Sequence, residues 1–386
     1  MNAILFDDHQ VWQQLKPLTW TRSITDIRIG ILTVAEKWRL HLKADIAVNT
    51  LGYLQARYKT HSEPSALHIA SHCLPNSALV EALHKLKSGE KLMLQTQLIA
   101  YRLPPGGSLE SCSSVQFDGA ITTVTRTWDI FRKNGEEIEA DFAILTKNRL
   151  SEKVPDSVQI IGDRSKVFLE KGASIECAIL NTKAGSIYLA ADSEVMEGSV
   201  VRGPFSLGEH SALKLATKIY GPTTIGPHSK VGGEVNNCVI FGYSNKAHDG
   251  FIGNSVIGEW CNLGADTNSS NLKNNYANVK IHDYVSGKAL DSGLQFCGLI
   301  MGDHSKSGIN TMFNTGTVVG VGCNVFGGGF PPQFIPEFSW CNGSDLSHYK
   351  LEKLFETAEK VWQRRGLVFD EKEKQLLTHI HQLAIA

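Results

Sequence analysis

Histidine, glutamate, lysine and asparagine gather between Gly232 and Gly250, where the chain reads Gly-Gly-Glu-Val-Asn-Asn-Cys-Val-Ile-Phe-Gly-Tyr-Ser-Asn-Lys-Ala-His-Asp-Gly. His248 is the side chain there suited to accept a proton near neutral pH, as a general base in amine acylation must. A carboxylate nearby, such as Glu234, would orient an imidazole and favour its charged form. A single histidine can equally be structural, and residue type alone leaves both readings open. A second group lies near the N-terminus. Arg22, Arg28 and Lys37 could hold phosphate oxygens through charge-assisted hydrogen bonds, or the arginines could brace a loop through ion pairs. Asp7, Asp8 and Asp26 supply carboxylates for a divalent cation, at no diagnostic spacing.

The elements that must position these residues are legible in the spacing of aliphatics. Val195, Val201, Leu207, Leu213, Ile219, Ile225 and Val231 recur every six residues. A helix repeats its apolar face every three to four residues and a half-buried strand every two. Period six instead predicts a short strand plus a turn per repeat, three repeats to a triangular coil, and a parallel β-helix overall. The period returns at Phe251, Ile257 and Leu263, and again at Met301, Ser307, Phe313, Val319 and Val325. Its loose beginning is Val167, Ala173 and Ile179. Phase breaks near 232–250 and 265–300 predict inserted loops, where solenoids commonly carry their binding sites. The Ser270–Tyr276 stretch reads as a loop leaving the prism.

Before the repeats, Ala3–Phe6, Leu67–Ala70, Leu92–Leu94 and Leu98–Tyr101 read as strands. Thr33–Leu42 reads as a helix with Val34 and Trp38 inward and Glu36, Lys37 and Arg39 outward. Asn76 would cap a helix over Ala78–Leu86. This alternation predicts an α/β layer fold over residues 1–150. A helix from Trp128 through Lys147, interrupted at Asn134-Gly135, leads to the β-helix of 151–335. Gly327–Gly329 and Pro331-Pro332 would end the prism, and 336–386 would form a helical cap over its last coil.

Composition bounds the function. In 386 residues the net charge is −1, so no basic footprint points to nucleic acid or an anionic membrane. No apolar run approaches the roughly 18 residues of a membrane span. No secretory signal is apparent, and a soluble cytoplasmic protein is expected. Eight cysteines without a CxxC pair read as buried, reduced thiols.

Several of these residues together carry a resemblance. The N-terminal strand, the Pro17-Leu18-Thr19-Trp20-Thr21-Arg22 segment, Leu32-Thr33 with Glu36-Lys37-Trp38, and the attached hexapeptide repeats resemble one family. It is the bifunctional N-acetylglucosamine-1-phosphate uridyltransferase/glucosamine-1-phosphate acetyltransferase family, and in particular its shortened bacterial relatives. Asp7-Asp8-His9-Gln10 stands where that family has a Gly-rich phosphate loop. The resemblance implies a nucleotidyltransferase-like α/β domain, a left-handed parallel β-helix acyltransferase domain, and a homotrimer. Acetyl-CoA would be the co-substrate, with Mg2+ serving nucleotidyl transfer. His248 matches the family's catalytic histidine and Asn271 its downstream asparagine. Glu234 and Lys218 match groups at the sugar-phosphate site, with Asn236 where the family has lysine and Phe251 where it has tyrosine. Lys246 joins the substrate-binding set, while Ala265 and Lys306 fall at the acyl-CoA end. Two further functions remain open at this stage. One is nucleotidyl transfer alone on a trimeric scaffold, and the other is a non-catalytic sugar-nucleotide-binding regulator.

Overall fold

The computed structural model describes residues 2–60 and 66–385. By contact the chain divides into two compact units. The first comprises residues 1–15, 21–27 and 32–126; the second comprises 16–20, 28–31 and 127–386.

The first unit is an α/β layer. In chain order it contains β1 (Ala3–Phe6), α1 (His9–Gln14), α2 (Val34–Leu42), β2 (Ile46–Asn49), α3 (Gly52–Gln55), β3 (Leu67–Ala70), α4 (Ser77–Lys85), β4 (Glu90–Leu94), β5 (Gln97–Arg102) and β6 (Ser113–Gln116). The sheet order is β2-β1-β3-β5-β4-β6, with β1 parallel to both β2 and β3. The expected strands and both expected helices are present. Asn76 caps α4 by accepting from the Leu79 amide at 2.8 Å, and Thr33 and Glu36 close a capping box on α2. One expectation fails on α2: Lys37 is buried, not outward. It lies three residues after Val34 and one before Trp38, inside the stripe that faces the layer. The short elements α1, β2, α3 and β6 have no counterpart in the reading of the sequence.

The second unit is a three-sided prism of parallel strands. Its first face begins at Gln159–Ile161, its second at Val167–Leu169 and its third at Ser174–Ile175. The residues of the period-six ladder all point inward, taking the third, first and second faces in turn. Leu213 pairs with Val231 one coil on, eighteen residues away. The next steps are shorter: Val231 pairs with Lys246 and Ile225 with Ile240, each fifteen residues on. The break near 232–250 is therefore a tightened coil, not an inserted loop. It also shifts the inward position from Phe251 to Ile252, which is fully buried. The later break is a true insertion, with strands Lys280–Asp283 and Lys288–Asp291 paired as a hairpin.

Helix α5 (Thr127–Leu145) belongs to this unit and runs without interruption. Asn134 is fully buried, its side-chain Oδ1 accepting from the Gly30 amide at 2.8 Å and the Thr224 hydroxyl at 3.1 Å. At Gly135 a Cβ would come within 2.8 Å of Pro222, so glycine permits close helix–prism approach there. The Gly327–Pro332 stretch does not end the prism. Phe334–Ile335 and Ser339–Asn342 continue the second and third faces, and Asp345–His348 pairs antiparallel on the last edge. Helices α6 (Leu351–Gln363) and α7 (Glu371–Ile385) follow. They pack along a corner of the prism: Trp362 stacks on Trp260 at 4.4 Å, and the Phe338 and His381 rings lie 5.0 Å apart. All eight cysteines are free, and Cys177 departs from the expected burial by being exposed.

Candidate functional site

Two faces and the corner between them bring most of the expected site residues of the prism together. On the first face Lys218 is in register with Glu234, and Glu234 with Phe251; Tyr220 and Asn236 form the neighbouring column. All alternate with inward Ile219, Val235 and Ile252, so their side chains stand on the outer surface. The Tyr220 hydroxyl donates to the Glu234 carboxylate. Burial, and then that carboxylate, push the phenol up to about 12. Asn271 reaches this face from the following coil, its Nδ2 donating to Asn254 Oδ1 at 2.8 Å.

His248 lies on the corner joining the third face to the first. Its side chain is exposed and, among the described residues, bonds to no carboxylate; Glu234 is occupied by Tyr220 instead. The corner is fixed by backbone proximity. A Cβ at Gly233 would lie 2.8 Å from Asp249 Cα and 2.9 Å from the His248 carbonyl oxygen, and Gly233 itself has φ of +73°. Lys246 is 3% exposed and points into the prism, so it is not a surface ligand for substrate. The shortened coil turns it inward, opposite Val231.

His248 borders two cavities. One, of about 650 Å³, runs along the third face and is lined by Tyr243, Trp260, Ala265, Lys306 and Ile309, with Arg364 and Arg365 from the end of α6. The other, of about 520 Å³, is lined by Lys214, Leu215, Gly233, Asp249, Ala265 and Asp266. Ala265 and Lys306 thus share a cavity with His248. Lys306 Nζ donates to the His304 carbonyl at 3.1 Å, and burial lowers its pKa. Arg365 Nη2 donates to Asn245 Oδ1 at 3.2 Å. Neither arginine stood out in the sequence, because only the docking of α6 carries them to the cavity.

In the first unit the carboxyl ends of β1, β2 and β3 converge on Asp7. Its Oδ1 accepts from Ser71 Oγ at 2.6 Å, Ser23 Oγ at 3.0 Å and the Ile24 amide at 3.2 Å, and its Oδ2 from Thr50 Oγ1 at 2.6 Å. Burial pushes Asp7 up to about 6 although every one of these donors favours the ionised form. Asp8 caps α1 by accepting from Val11, and Asp26 accepts from Tyr58. Among the described residues no three His, Cys, Asp or Glu side chains cluster as metal ligands, and these three aspartates do not form an Mg2+ site by themselves. His72 is buried beside Ser71 with Nδ1 unpartnered, and burial lowers it to about 4. Arg22 is 5% exposed and Lys37 2%. Arg28, which belongs to the second unit, donates from Nη1 to the Ile31 carbonyl at 2.5 Å. The Pro17–Arg22 segment is likewise divided. Its residues up to Trp20 pack with the prism, where Trp20 Nε1 donates to Glu337 at 2.8 Å.

Residues 3–150 match the family model described as sugar nucleotidyl transferase. The chain is similar to a bifunctional sugar-1-phosphate nucleotidylyltransferase/acetyltransferase of Sulfurisphaera tokodaii, at 30% identity over 37% of this chain and 36% of that protein. It is also similar to the bifunctional protein GlmU of Methanocaldococcus jannaschii, at 29% identity over 55% of this chain and 45% of that protein. The chain therefore spans less than half the length of either relative. A solved UDP-N-acetylglucosamine acyltransferase from Campylobacter jejuni aligns over 60% of this chain and 82% of its own, at 16% identity and a TM-score of 0.27.

Proposed function

We propose that the prism transfers an acyl group from acyl-CoA to the amine of an amino-sugar phosphate, and that the N-terminal unit joins a sugar 1-phosphate to a nucleotide. The observation that carries the first activity is the placement of His248. It is an accessible imidazole on the rim of a cavity edged by Lys306, Arg364 and Arg365, beside a face bearing Lys218, Glu234, Asn236 and Asn271. Cations suit the phosphates of CoA, and the polar face suits a sugar phosphate.

In this reading the acceptor amine attacks the thioester carbonyl carbon, forming the C–N bond. His248 takes the amine proton as general base. The C–S bond then breaks, and the proton passes to the departing thiolate, giving an amide and free CoA. Lys218 holds the acceptor's phosphate, Glu234 and Asn236 bind its hydroxyls, and Asn271 positions it. The chain works as a homotrimer in the cytoplasm, with neighbouring prisms completing the acceptor side. Of the phosphate-binding candidates for nucleotidyl transfer, Arg22 and Lys37 belong to the N-terminal unit and are enclosed in it, so a nucleotide phosphate would reach them only by uncovering them.

Incubating the purified chain with acyl-CoA and amino-sugar phosphates, and following free thiol, tests the acyl-transfer reading. Release that requires both substrates supports it, and no release from any pair overturns it. Sedimentation as a monomer at micromolar concentration would count against the trimer. The match of residues 3–150 to nucleotidyl transferases favours a second reading, nucleotidyl transfer alone. Pyrophosphate release without CoA release would select it, and neither release would leave a sugar-nucleotide-binding regulator.

A further inference from the structure

Along the third face the inward positions Ile175, Val195, Leu213 and Val231 stack in register, and the next position is Lys246. The coil beyond returns to an aliphatic, Leu263, within the same apolar core. One lysine therefore interrupts a run of aliphatics from Ile175 to Leu263, and the next inward polar residue, Ser307, is uncharged. Its ammonium is spent on a single backbone atom, Nζ donating to the His248 carbonyl oxygen at 2.5 Å. The charged groups that act on it are Asp249 and Asp266, both exposed, together with Lys218; the Cys238 thiol is the remaining titratable neighbour. Burial pushes Lys246 down to about 8 against the pull of the two carboxylates.

Burying an ammonium is costly unless it is paired and hydrogen-bonded, and an aliphatic of similar size commonly serves stability as well or better. Stability is therefore a poor account of this lysine. Departures from local packing rules concentrate where function requires them. Here the departure lies two residues from His248, whose imidazole has no hydrogen-bond partner among the described residues. Such an imidazole owes its direction to the backbone that carries it.

We propose that Lys246 is a positioning residue, its ammonium holding the His248 carbonyl from inside the prism and so setting how the imidazole is presented to the two cavities. The consequence for rate rests on the acyl-transfer reading; the geometry does not.

Lys246→Met, which keeps length and fills the ladder, tests the proposal. The expected result is a fall in kcat of up to about 100-fold, as misplacement by an ångström can produce. KM for the acyl donor should be unchanged and the melting temperature equal to or above that of the unaltered chain. Lys246→Arg, which restores a donor, should recover part of the rate. Independently of activity, the His248 ring-proton resonance, assigned by its loss in His248→Ala, should shift and broaden in Lys246→Met. Unaltered kcat together with an unmoved resonance would overturn the proposal. If the unaltered chain releases no CoA, the acyl-transfer reading fails, and the resonance alone decides the positioning. Should Lys246→Met melt early, Lys246→Leu matches the layer above it. Loss of folding in both variants would make the lysine structural and overturn the inference.

Discussion

His248 and Asp7 both stand just past a strand whose backbone is locked in a parallel sheet, yet their surroundings differ. At His248 the coil is held from inside by Lys246 and by the bare Cα of Gly233, which leaves the imidazole free at a cavity rim. At Asp7 the carboxylate itself is held, taken up by three hydroxyls and an amide of its own unit. A prism builds rigidity from inward ladders and keeps its outer faces available for ligands. In the first unit, by contrast, the hydroxyls at the strand ends are taken up by Asp7, so any ligand of Asp7 must displace existing bonds. Lys37 and Arg22 follow the same pattern, enclosed where Lys218 is outward.

The largest expected effect tests the exposed side of this contrast. His248→Ala should lower acyl transfer by on the order of 10²–10⁴ while leaving the melting curve unchanged. A variant that melts much earlier yet keeps its rate per folded molecule would make the histidine structural. Next, Arg364→Ala and Arg365→Ala should each raise KM for acyl-CoA by about tenfold or more, since a hydrogen bond to a charged group is worth roughly 1.5–3 kcal/mol. Turnover at saturation should be kept, and an unchanged KM in both would remove the donor from this cavity.

Two smaller effects test the enclosed groups through pH. Lys246 titrates near 8 when folded against 10.5 for the free side chain, so between those values the unfolded chain holds more protons. This group's contribution to stability therefore rises with pH across that window, and the rise should be missing in Lys246→Met. Asp7 behaves oppositely, at about 6 folded against 3.8 free. Between 3.8 and 6 the folded chain holds more protons, so Asp7's contribution to stability falls as pH rises. Difference melting curves for Asp7→Asn should show that slope removed, and equal slopes would mean that Asp7 is better hydrated than its packing implies.

The prism was legible because one inward residue per six leaves a regular trace, unbroken from Val195 to Val231. His248 drew attention because it interrupts that trace, whereas Ala265 and Lys306 entered only through the family resemblance; the three line one cavity. Lys246 was misplaced for a geometric reason. A tightened coil moves the inward position without changing residue types, so a lysine beside a histidine looks like surface chemistry. Arg364 and Arg365 left no trace at all, since they reach the cavity only through the packing of α6. In the first unit α4 was announced by its Asn76 cap and α2 by the apolar spacing of Val34 and Trp38. The shell of Ser23, Thr50 and Ser71 around Asp7 is assembled from three separate turns, and no spacing in the chain records it.

The stacked indoles of Trp260 and Trp362, 4.4 Å apart and inclined by 20°, have an optical consequence. Two such chromophores in contact couple their transitions and give a paired circular-dichroism band that neither gives alone. Trp260 lines the cavity beside His248, and Trp362 rides on the helix that supplies Arg364 and Arg365. Any ligand that lifts or reseats that helix therefore alters the band without a label, so occupancy of the cavity can be followed by light even when no turnover occurs.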